Sequence, residues 1–170
     1  MRSQVNVDPR IRAKLEEFMP HPVVIRVTDF TEEALKLFCD DLDRAIATGQ
    51  PFVPVVIDSY GGGIYECMGM VERMRRCPVP VHTVVESKAM SAGAFLFGMG
   101  TQRYMARNAH LMIHDASQFL AGKAEELRAM AGQLSLLNKS MLRDLARHVG
   151  QPDDYFAKMI HDGHHAEVFL

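Results

Sequence analysis

The stretch Val53–Arg75, VPVVIDSYGGGIYECMGMVERMR, settles the class of fold. Its opening, Val53 to Asp58, is a short β-branched run of the kind that forms a buried strand. Three glycines, Gly61 to Gly63, break that run at once. Beyond them the apolar period changes, with Met68, Val71 and Met74 three residues apart and Arg75 beside them, so a helix leaves the turn. Pro78 and Pro80 stop it.

The same alternation continues on both sides. Upstream, Pro22 to Val27 is a second β-branched run, and Leu35, Phe38, Cys39, Leu42 and Ile46 recur at helical spacing between Thr31 and Thr48, with Gly49 as a stop. Downstream, Val81 to Val85 forms a strand that leads through Glu86-Ser87-Lys88 into Ala89 to Gly100, whose small residues suit a closely packed helix. Arg103 to Ala106 and His110 to His114 give two further strands. Strands and helices so interleaved make the class α/β.

From Gly122 to about His148 runs the longest helical pattern, its stripe formed by Leu127, Met130, Ala131, Leu134, Leu137, Met141 and Leu145. Such a helix either projects to meet another subunit or buries its stripe on its own domain. Pro152 opens a last helix to Ile160, and the tail turns strand-like after His161-Asp162-Gly163-His164-His165. The organisation is a short polar arm, residues 1–21, and one domain, residues 22–170, with neither internal repeats nor low-complexity tracts.

Composition narrows the function. The chain has 170 residues, 48% hydrophobic and 24% charged, which fits one globular domain and excludes disordered and fibrous classes. Nineteen Lys and Arg against 21 Asp and Glu leave a net charge of -2, so no basic field favours nucleic acid. Cys39, Cys67 and Cys77 cannot all pair and sit in apolar contexts, which points to thiols in a reducing, cytoplasmic compartment. The first twenty residues scatter charge where a signal peptide needs an apolar core, and no run reaches the ~18 apolar residues of a membrane helix. The expectation is a cytoplasmic protein without a membrane partner.

Three features could carry chemistry. The turn Asp58-Ser59-Tyr60-Gly61-Gly62-Gly63 links a strand to a helix, where free backbone amides can hold negative charge. It lacks the P-loop Lys and the Rossmann spacing, so it does not read as a nucleotide site. Met90-Ser91-Ala92-Gly93 also lies between a strand and a helix, which places Ser91 as a nucleophile or as an N-cap. Ala89 occupies the first position of a Gly-x-Ser-x-Gly elbow. His114 ends the strand Leu111-Met112-Ile113 and can serve as general base to a serine at a neighbouring strand end.

Together these residues resemble ClpP, the proteolytic subunit of the Clp protease, from about Pro22 to Leu170. That family shows Ser-Pro-Gly-Gly, then Ala-Ser-Met-Gly-Ala-Phe-Leu, then Met-Ile-His. Here the counterparts are Ser59-Tyr60-Gly61-Gly62, Met90-Ser91-Ala92-Gly93-Ala94-Phe95-Leu96 and Met112-Ile113-His114, and His148-Val149-Gly150-Gln151 is similar to the family's His-Thr-Gly-Gln. The resemblance implies the ClpP/crotonase fold, a spiral of strand-strand-helix units, with the helix at about 122–148 as a projecting handle. It implies Ser91 as nucleophile, His114 as general base, and the amides of Gly62 and Ala92 as oxyanion donors, with Gly61 beside them. The family's acid precedes a Phe-Leu pair, which here selects Glu167, whereas counting from His114 points nearer to Asp162. Glu167 is the favoured acid.

The implied activity is that of a serine endopeptidase acting on peptides or unfolded proteins within a homo-oligomeric ring, a heptamer or two stacked heptamers, without a cofactor. The arm before Pro22 does not resemble the family's axial loops, so an unfoldase ATPase partner is not assumed. Relatives also continue beyond the position of Leu170. Two other readings compete: a non-catalytic ring scaffold or inactive paralogue, and a crotonase-type acyl-CoA enzyme, against which the joint presence of Ser91 and His114 argues. A metal on His161, Asp162, His164, His165 and Glu167 is the bolder reading of a tail that solvation explains as well.

Overall fold

The structure is a computed structural model, and it describes residues 9–18, 22–117, 121–162 and 167–169. The chain divides into two compact units, Met1–Leu111 and Met112–Leu170.

The first unit alternates strand and helix. After α1 (Pro9–Phe18) come β1 (Ile25–Val27), α2 (Glu32–Ala47), β2 (Val53–Ser59), α3 (Ile64–Arg75), β3 (Val81–Met90), α4 (Ala92–Gly98) and β4 (Gln102–Met105). The four strands pair in parallel: Ile25 with Val55, Val53 with Val81, and His82 with Gln102 open the three registers. In β2 every residue except Asp58 is buried, as a parallel strand covered on both faces requires. Pro54 is tolerated there because successive amides point to opposite edges: Val53 N–H is spent on Pro80 O, and the ladder with β1 begins only at Val55.

Helix α2 starts where Thr31 Oγ1 accepts the Ala34 N–H at 3.1 Å, with Glu32 and Glu33 favourably placed in the first turn. It buries Phe38, Leu42 and Ala45, a stripe with spacings of four and three. A buried Gln50 stitches the segment before β1 to the start of β2. Its Oε1 accepts the Val23 N–H at 2.9 Å, and its Nε2 donates to Val23 O at 3.1 Å and Phe52 O at 2.8 Å.

Two features differ from the sequence-based expectation. The polar arm contains α1, whose Ile11 packs with Phe52, Val56 and Val84 in a buried cluster. Ile11, Leu15 and Phe18 recur at spacings of four and three, a helical period that the charges between them hide when the arm is read as polar. Strand β3 also continues past Val85 to Met90, through the polar triplet that the sequence pattern places outside the strand. A register slip between Ile57 and Ser59 accommodates the added length, and the triplet's charges find partners on other strands: Lys88 Nζ lies 2.7 Å from Asp58 Oδ1 on β2, and Glu86 lies 4.0 Å from Arg26 on β1, one strand beyond.

The second unit holds α5 (Ala124–His148), α6 (Tyr155–Asp162) and β6 (Val168–Phe169), while β5 (His110–Ile113) runs across the division. β6 pairs antiparallel with β5, Met112 with Phe169 and Ile113 with Val168. The buried residues of α5 are Met141, Leu142, Leu145 and Ala146, all towards its C-terminus, whereas Met130 and Ala131 of the stripe are exposed. The stripe is therefore only partly covered within the unit. Arg147 makes a bidentate pair with Asp153, 2.8 and 2.6 Å, tying the end of α5 to the approach to α6.

Candidate active site

Ser91 is the single residue between the end of β3 and the start of α4. Its backbone has φ 53° and ψ -119°, and among the described residues it is the only non-glycine with positive φ. A conformation that costs on the order of 1–3 kcal/mol persists only where the surroundings enforce it. Here the enforcement is visible. Every residue of α4 is buried, Ser91 O accepts the Phe95 N–H at 3.1 Å, and Thr83 Oγ1 donates to Phe97 O at 2.7 Å. The strand-to-helix turn is thus a sharp elbow, although Ala89 replaces the first glycine of the usual motif.

The glycine turn after β2 lies against this elbow. Gly61 has φ 103°, and a Cβ there would stand 2.8 Å from Ser91 Cβ and 2.9 Å from Met90 O. Its N–H donates to Ser59 Oγ at 3.0 Å, and Gly63 N–H donates to Phe30 O at 2.8 Å. Gly62 N–H lies between these two engaged amides and meets no acceptor among the described residues. Ala92, as the first residue of α4, has no intrahelical carbonyl for its own amide. The elbow and the turn therefore set Ser91 and the Ala92 amide against Gly61, the residue before the unengaged Gly62 amide. Buried Ser59 and Phe30 brace the turn, and neither is marked by the sequence pattern beyond the position of Ser59 in the motif.

Cys67 Sγ, on α3, donates to Ala92 O at 3.2 Å and so ties α3 to the first carbonyl of α4. Burial pushes its thiol far above the ordinary cysteine range, so it stays neutral and has no nucleophilic role. Beside the turn, Lys88 pairs with Asp58 and sits 4.5 Å from the centre of the Tyr60 ring. The hydrogen bond from Lys88 to Asp58 holds the ammonium above its usual range.

His114 and Glu167 belong to the second unit. His114 is half-buried and directly follows β5. Extending the register of β5 and β6 by one residue sets position 167 opposite position 114. The Glu167 side chain is exposed, and no hydrogen bond joins it to His114. Asp162 closes α6, exposed, with its carboxylate 3.6 Å from His161 Nδ1. His164 and His165 lie outside the described residues, and no group of three or more His, Cys, Asp and Glu among the described ones could hold a metal.

The geometry at Gly61 gives a stability prediction. Gly61→Ala is expected to destabilise the fold by about 2–4 kcal/mol, through positive φ and overlap with Ser91 together. Gly49→Ala, also at positive φ but with open space around it, should cost only about 1–2 kcal/mol. Denaturant unfolding of both variants measures the difference; equal losses would show that the turn does not press on Ser91.

Residues 40–165 match the family model described as Clp protease. Among curated proteins, the chain is 33% identical over 100 residues to the ATP-dependent Clp protease proteolytic subunit 2 of Parasynechococcus marenigrum (strain WH8102), covering 58% of this chain and 51% of that protein. It is 28% identical over 168 residues to the subunit of the same name from Thermobifida fusca (strain YX), covering 93% and 79%. With the ATP-dependent Clp protease proteolytic subunit 3 of Streptomyces coelicolor (strain ATCC BAA-471 / A3(2) / M145) it shares 25% over 147 residues, covering 84% and 67%. The chain thus spans about half the length of the first of these relatives and more of the other two.

Proposed function

The chain belongs to the Clp protease family, and we propose that it is a serine endopeptidase that cleaves peptide bonds within an oligomeric ring in the cytoplasm. The observation that carries this reading is the enforced elbow at Ser91, set against a glycine turn with an unengaged amide. Ser91 Oγ attacks the scissile carbonyl carbon as His114 takes the hydroxyl proton. The resulting oxyanion accepts hydrogen bonds from Gly62 N–H and Ala92 N–H, each worth about 3–4 kcal/mol in the transition state. The imidazolium then returns its proton to the leaving amine, and water, deprotonated by the same base, releases the acyl group. Glu167, opposite position 114 in the β5–β6 register, is the acid of this reading. It makes no hydrogen bond to the imidazole here and must turn onto it to orient the ring and compensate its charge. The partly uncovered stripe on α5 supports the ring, since Met130 and Ala131 stand clear of their own unit. The three free cysteines fit a reducing compartment, and no helix of the described residues is long and apolar enough to cross a membrane.

Hydrolysis of fluorogenic peptides by the full chain tests the activity, and two variants test the acid. Glu167→Gln should lower kcat by about 10² to 10⁴, because an amide holds the ring without compensating the imidazolium. Asp162→Asn should change kcat by less than about twofold, as an exposed helix-end carboxylate paired with its neighbour. A reversed order would make Asp162 the acid, and full activity in both would leave a Ser-His dyad.

A further inference from the structure

We propose that Asn138, on α5, is a positioning residue that sets the orientation of His114. The inference rests on the reading of His114 as the general base.

The half-buried amide of Asn138 makes two hydrogen bonds to the segment that follows His114. Its Oδ1 accepts the Ala116 N–H at 3.1 Å, and its Nδ2 donates to Asp115 Oδ1 at 2.7 Å. Both atoms of the amide are thereby used, one as acceptor and one as donor, across more than twenty residues of sequence. Residues 114–117 have no regular secondary structure of their own. On the other side of His114, the backbone is fixed by the pairing of Met112 and Ile113 with β6. His114 is therefore held from both flanks, by a strand ladder before it and by one side chain of the long helix after it. The clamp does not touch the reacting atoms. It acts by fixing the peptide from which the imidazole projects, and a base displaced by an ångström can cost about a hundredfold in rate.

The chemistry of the clamp is specific to an amide facing a carboxylate. Alanine at 138 removes both bonds. A carboxylate at 138 could still accept the Ala116 N–H but would face the Asp115 carboxylate, so Asn138→Asp should be at least as damaging as Asn138→Ala. In Asp115→Asn/Asn138→Asp the polarity is reversed: the carboxylate at 138 accepts from the new amide at 115 and from Ala116 N–H, and both bonds are restored.

The test is steady-state peptide hydrolysis by the 170-residue chain and these variants, with thermal midpoints and solution mass measured alongside. The expected result is a fall in kcat of about tenfold to a hundredfold for Asn138→Ala and Asn138→Asp with KM within about twofold, and recovery to within about threefold of the parent in the exchanged pair. The recovery keeps the test decisive should either single variant fold poorly. If the parent cleaves peptide and Asn138→Ala keeps its kcat, the clamp is not a positioning device and the peptidase reading stands. A folded exchanged pair that stays slow overturns the positioning role in the same way. If the parent neither cleaves peptide nor carries a reactive Ser91, the reading of His114 fails and takes the positioning role with it.

Discussion

Ser91→Ala is expected to abolish peptide cleavage, by up to about 10⁶-fold if the residue belongs to a complete triad, while the fold and the assembly survive. The hydroxyl is the atom that forms the acyl-enzyme bond, and neither a backbone amide nor bulk water replaces it. Removing one oxygen from a half-buried side chain leaves α4 and the turn at Gly61 untouched. Solution mass should therefore stay that of the parent, a multiple of the 19.1-kDa chain; a parent running as a 19.1-kDa monomer would exclude the ring. A companion variant isolates the strain. Ser91→Gly should be as inactive as Ser91→Ala yet more stable than it by about 1 kcal/mol, because glycine adopts φ 53° without the Cβ overlap that either serine or alanine suffers. Undiminished cleavage by either variant would end the assignment of Ser91.

His114→Ala should lose activity by a factor comparable to Ser91→Ala. The serine hydroxyl is a weak nucleophile at neutral pH, and attack requires simultaneous loss of its proton. Nucleophile and base then act as one unit, so the double variant should be no slower than either single one. This non-additivity is the informative quantity, and parallel kcat measurements on the three proteins read it directly. A double variant slower than both by the product of their effects would mean that the two residues contribute separately, and His114 would lose its role as base.

The sequence carried the strand–turn–helix segments because their signals are local. The unbroken apolar run of β2, the glycines that end it and the stripe of α3 sit within some twenty residues, and Gly150, at φ 75°, closes α5 where its identity suggests. What depended on distant neighbours was hidden. Glu86 and Lys88 look like turn residues until Arg26 and Asp58 are beside them, and Gln50 looks like a loop glutamine until Val23 lies across from it. The site divides in the same way. Ser91 and the glycine turn stand out by residue type, yet the elbow conformation is imposed by the burial of α4 and the Thr83–Phe97 hydrogen bond, which no Gly-x-Ser-x-Gly pattern announces. The position of Glu167 relative to His114 depends on an antiparallel register, which counting along the chain across residues 163–166 cannot supply.

The central claim is that Ser91 is a nucleophile activated by this fold. The most direct measurement is reaction of the full chain with a fluorophosphonate, followed by proteolytic digestion and mass spectrometry of the adduct. The expected result is one stoichiometric adduct on Ser91, absent from Ser91→Ala and formed far more slowly by His114→Ala. No adduct under conditions that label an ordinary serine protease, or an adduct on another residue that persists in Ser91→Ala, would contradict it.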